Sequence, residues 1–203
     1  MQMHVPEFFA ASPRLRVFDP LADFLGAAQD GVFEYVYADV VKLAGHSCPT
    51  VASAFLLTRA ALAALYPQAL AQRGSIRVEL RGARLEGVNG VFASVLTLLT
   101  GATEDTGFKG IGGHFDRRGL LFFGADIPAQ MRLTRLDSGE SVDASARLDR
   151  VPGDPHTSQL MPRCLDGSAS PEEANRFRAL WQSRVRALLL EHADDPAVFE
   201  ILH

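Results

Sequence analysis

The chain has 203 residues, 47% of them hydrophobic and 22% charged, with a formal net charge of −4. A chain of this length buries roughly 70% of the surface its unfolded form exposes, so it can hold one core without disulfides or a metal staple. Seventeen glycines and eleven prolines are ordinary usage, which excludes collagen-like and disordered chains, and the slight acidity excludes coating of nucleic acid by bulk positive charge.

The opening MQMHVPEFF has neither a basic nor an apolar leader region, and two cysteines cannot make a disulfide scaffold. A cytoplasmic, reducing location is the expectation. Asp19-Pro20 followed by Leu21, Ala22, Phe24 and Leu25 predicts a capped helix ending near Gly26. Phe33 to Val41 alternates aromatic and aliphatic residues and reads as a strand or a helix. Gly45-His46-Ser47-Cys48-Pro49 breaks the chain, and a long apolar helix follows to Tyr66, with Pro49 at its first position and Pro67 beyond its end. The near-apolar stretch from Val51 to Leu65 is Ala-rich, interrupted by Arg59 and short for a bilayer, so it predicts a buried helix and no membrane span.

Ile76 to Leu80 alternates apolar and charged residues, a half-buried strand. Val91 to Thr100, stopped by Gly101, reads as a second apolar helix. A loop with glycines at 107, 110, 112 and 113 leads into strands at Leu120–Phe123, Met131–Leu136 and Val142–Leu148, read as a β-meander. Val151 to Ala169 reads as a long surface connection. Ser170-Pro171-Glu172-Glu173 is a capping box for an amphipathic closing helix that buries Phe177, Leu180, Trp181, Val185 and Leu188. The fold expected is α+β: central apolar helices on a mostly antiparallel sheet over residues 1–150, with residues 151–203 packed on the same domain as a connection and a C-terminal amphipathic helix.

The sharpest chemical feature is His46-x-Cys48 at the mouth of a buried helix. A thiol there meets unsatisfied N–H groups and the positive end of the dipole, both of which favour thiolate. An imidazole two residues away can share a Zn²⁺ with it or serve as its base. Cys48 is equally an ordinary small core residue. A metal needs a third ligand: His114 and Asp116 follow the glycine cluster, Glu86 precedes the second apolar helix, and Cys164 and His156 are weaker candidates. His4, His192 and His203 are expected at the surface. Lys109, Gly110, Gly112 and Gly113 can form a concavity of backbone N–H groups beside an ammonium, suited to phosphate or carboxylate, although a loop merely needing positive φ explains the glycines as well.

Gly45-His46-Ser47-Cys48-Pro49 opening an apolar helix, then a strand, then a helix ending in Thr100-Gly101-Ala102-Thr103, then a glycine-rich loop and strand, resembles the formylmethanofuran dehydrogenase E-subunit (FmdE) family over roughly residues 39–124. The resemblance implies an α+β domain, a homodimer, and a metal, usually zinc, held by His46 and Cys48. Three readings follow. In the first, His46, Cys48 and His114 hold zinc or another divalent transition metal and act on or bind a small-molecule ligand near Lys109 and its glycines. In the second, Cys48 is a metal-free nucleophile with His46 as base. In the third, the chain is a non-catalytic module that binds a cofactor.

Overall fold

The computed structural model describes residues 5–202, so the surface positions expected for His4 and His203 lie outside the described residues. The architecture is α+β, with two mixed sheets. Strand β1 (Leu15–Phe18) turns Leu15 and Val17 inward and pairs antiparallel with β2 (Val32–Tyr35). Between them α1 (Pro20–Leu25) starts where Asp19 Oδ1 accepts the Leu21 and Ala22 N–H groups at 3.0 and 3.2 Å, and stops at Gly26 with φ +65°. That is the capped helix its sequence predicts.

The ambiguous segment after it contains both alternatives. Strand β2 ends at Tyr35, and α2 (Tyr37–Ala44) begins as the apolar spacing lengthens to Tyr37, Val40, Val41 and Ala44. The 17-residue α3 (Pro49–Leu65) is almost wholly buried, from Val51 through Leu57 and again at Ala61, Leu62 and Leu65. It packs on α4 (Asn89–Thr100) and on the larger sheet, and reaches solvent in its later turns, where Ala63 is exposed and Arg59 pairs with Asp194 at 2.8 Å. No helix among the described residues is long and apolar enough to cross a membrane.

After α3 a short β3 (Ala71–Gln72) pairs parallel with β1, and β4 (Ile76–Leu80) buries Ile76, Val78 and Leu80. The larger sheet also holds β5 (Leu121–Phe123), β6 (Met131–Arg135), β7 (Ser141–Ala146) and β8 (Phe199–Leu202), in the order β5-β4-β6-β7-β8. This corrects the expected meander. In this sheet only β6 and β7 form a hairpin; β4 lies between β5 and β6, parallel to the first and antiparallel to the second. The chain leaving β5 is pinned across the end of β4, where the Gly124 and Ala125 N–H groups donate to the Gly82 and Leu80 carbonyls at 3.1 and 3.0 Å.

The long surface connection is also corrected, because it contains α5 (His156–Leu165). Its Pro, Gly and Ser content hides a helical face: Thr157 with Met161, and Leu160 with Cys164, stand four residues apart and half-buried, and α5 packs on α6 (Pro171–Arg186) despite Pro162 in its last turns. The Ser170–Glu173 capping box forms in both directions, at 3.2 and 2.8 Å. Phe177, Leu180 and Trp181 are only half-buried, whereas Val185 and Leu188 enter the core. One core runs from Phe9 through α3 to Phe199, so residues on both sides of position 150 share it.

Candidate functional site

Cys48 is the N-cap of α3. Its Sγ accepts the Val51 N–H at 3.4 Å, and the residue is 8% exposed within the core. The sulfur therefore does meet an orphan helix donor, as its position predicts. His46 is exposed, and its ring turns back to place Nδ1 2.9 Å from the Ala44 carbonyl. The residue between them is the more connected. Ser47 Oγ donates to Gln182 Oε1 and contacts the Tyr37 hydroxyl, both at 3.0 Å, while its carbonyl accepts the Trp181 Nε1–H at 2.9 Å and a Gln182 Nε2–H at 3.2 Å. Burial holds the Tyr37 hydroxyl far above the usual phenol range, so it stays neutral and serves as a hydrogen-bonding group. The turn joins α2, α3 and α6.

The other expected ligands lie elsewhere. His114 is exposed at the end of a narrow hairpin in which Ile111 and His114 exchange backbone hydrogen bonds of 2.9 Å. Asp116 is bound to Arg118, whose hydrogen bonds bring its carboxyl down to about 2. Glu86 caps its own turn at the Ala83 N–H, His156 contacts Asp154, and Cys164 rides on α5. Among the described residues no group of three or more His, Cys, Asp or Glu side chains is placed to hold a metal ion, so His46, Cys48 and His114 do not converge and the pair lacks a third donor. Gly107, Gly110, Gly112 and Gly113 all have positive φ, but the Ile111, His114 and Arg117 N–H groups of this loop donate to the loop's own carbonyls. Lys109 faces solvent.

The neck of that loop leads to a cluster that motif reading passed over. Asp19 Oδ1, besides capping α1, accepts Arg117 Nη2–H at 2.7 Å, and its Oδ2 accepts Arg73 Nη1–H. The side chains of Asp19 and Arg117 are 4% and 7% exposed. Arg73 Nη2–H also donates to the Leu98 carbonyl at 2.9 Å, and its guanidinium lies 5.8 and 5.9 Å from the rings of Phe33 and Tyr35. Burial alone would raise the Asp19 carboxyl, but Arg117, the Ala22 N–H and Arg73 outweigh it and hold the group below its ordinary value. Two guanidinium groups thus face one carboxylate, leaving one positive charge in excess.

Two donors in this cluster, Arg117 Nη1 and Arg73 Nε, are buried and have no hydrogen-bond partner among the described residues. The Arg117 fork fits because two neighbours lack side chains: a Cβ on Gly74 or Gly101 would stand 2.5 or 2.4 Å from Nη1. Beside the forks is a pocket of about 270 Å³, walled further by Leu21, Thr97, Thr103 and Phe108. Thr103 closes the loop's neck, its N–H and hydroxyl both donating to the Arg117 carbonyl at 2.9 and 2.7 Å. The glycine-rich loop therefore borders a cationic pocket, but the charge comes from Arg73 and Arg117 rather than from Lys109.

No protein-family model matches the chain, and no curated protein matches it. The resemblance to the FmdE family rests on the Gly45–Pro49 opening and the order of parts alone.

Proposed function

We propose that this chain binds a small anionic molecule, its carboxylate or phosphate seated where Arg73 and Arg117 meet beside the glycine-rich loop. The observation that carries this reading is Arg117 Nη1, a buried donor of a charged group with no partner among the described residues, next to a pocket. Such a donor costs free energy until an acceptor reaches it, and an excess buried charge costs more, so an anion relieves both at once. Guanidinium forks match the planar geometry of carboxylate and phosphate. The pocket's small volume and the chain's net charge of −4 favour a small ligand over a polyanion such as nucleic acid.

Thermal unfolding tests it, with sodium phosphate or sodium acetate compared against sodium chloride at equal ionic strength. At a hundred times its dissociation constant a bound anion stabilises the fold by about 2.7 kcal/mol. The gain disappears in Arg73→Met, which keeps the Arg117–Asp19 pair. Equal midpoints in all three salts, or an undiminished gain in Arg73→Met, overturn the proposal.

A further inference from the structure

A second cavity, of about 300 Å³, opens between α5, α6 and the start of α3, away from the Arg73–Arg117 pocket. One wall is the indole of Trp181, held in place by its hydrogen bond to the Ser47 carbonyl; Leu180, Met161 and Pro49 add apolar surface. Arg184 lines the same space, as does Asp154, whose Oδ1 is held at 2.8 Å by both the backbone N–H and the ring Nδ1 of His156. Arg184 Nε and Nη2 donate to the Val151 and Leu148 carbonyls at 2.7 and 2.8 Å, which fixes the guanidinium, while Nη1 makes no hydrogen bond among the described residues. Thr157, also in the lining, has a buried hydroxyl with no partner among the described residues.

We propose that this cavity is a binding site for an aryl carboxylate. A flat ring matches the pinned indole and the sulfur-containing Met161 side chain, which pack well on aromatic faces. A carboxylate matches the free edge of a guanidinium whose rotamer is already fixed by two backbone carbonyls, so little further ordering is needed on binding. The volume is that of a ring-sized ligand rather than a large cofactor. The Ser47–Trp181 hydrogen bond makes the Gly45–Pro49 turn a support of this site, through its backbone and not through the His46 or Cys48 side chains.

Trp181 is the chain's single tryptophan, so its indole N–H gives one NMR signal that reports on this cavity alone. Titration with sodium benzoate shifts that signal saturably, and benzyl alcohol, which has the ring without the charge, binds at least tenfold more weakly. Ser158→Phe, a substitution at an exposed position on the cavity wall, abolishes the shift, while Arg73→Met leaves it unchanged because the other pocket is separate. An indole signal that does not move with benzoate, moves equally well with benzyl alcohol, or still moves in Ser158→Phe overturns the proposal. The first two readings need no variant, so they hold even if a substitution disturbs folding.

Discussion

The His46–Cys48 turn and the Asp19–Arg73–Arg117 cluster are assembled in opposite ways. Only Ser47 separates His46 from Cys48, yet one side chain faces solvent and the other enters the core. Asp19 lies 54 residues from Arg73 and 98 from Arg117, and all three meet at hydrogen-bond distance. Close spacing supplies proximity of backbone, while the direction of each side chain follows from what burial demands of it. A small thiol satisfies the core by itself. A buried carboxylate must recruit charged donors, wherever along the chain they stand.

If charge burial organises the cluster, the largest effect comes from breaking it. Asp19→Ala leaves the Arg73 and Arg117 guanidinium groups without the carboxylate they share and costs about 3–5 kcal/mol in urea unfolding; a loss below about 1 kcal/mol, the range of exposed pairs, would erase the contrast with the turn. The next effect is acid sensitivity. Asp19 has a folded value below its ordinary 3.8, so the unfolded chain binds the proton more readily. The stability it contributes is present above pH 3.8 and is lost as pH falls below that value through the folded one. In Asp19→Asn the acid slope of stability between about pH 5 and about pH 2 flattens; an unchanged slope would place the acid response on other carboxylates. The smallest effects belong to the turn. Cys48→Ala costs about 1 kcal/mol through the lost cap, and His46→Ala changes stability by less than about 0.5 kcal/mol. A larger loss in His46→Ala would bring the two regions closer in kind.

Helix ends were legible because their signals are local. Asp19-Pro20 with Gly26, Pro49 with Pro67, Gly101 and the Ser170–Glu173 box each mark a boundary that the structure has. What could not be read locally was pairing across the chain. The place of β4 between β5 and β6 depends on a crossing after Gly124, and α5 is disguised by Pro162 and its Ser-rich surroundings. The charged cluster was hidden for the same reason: Arg73 and Arg117 sit in ordinary polar stretches, and Asp19 was already explained as a cap. The one local hint was steric. Gly74 directly follows Arg73, and Gly101 does more than stop α4, since both make room for the Arg117 fork.

The order of strands in the larger sheet bears on how the polypeptide matures. β7 pairs on its outer side with β8, which follows it only after α5 and α6 have been made. During synthesis the hairpin β6–β7 can close early, but its open flank waits through two helices for its last neighbour. Until then that flank offers free backbone groups to any other extended chain nearby, and the arrival of β8 removes the hazard.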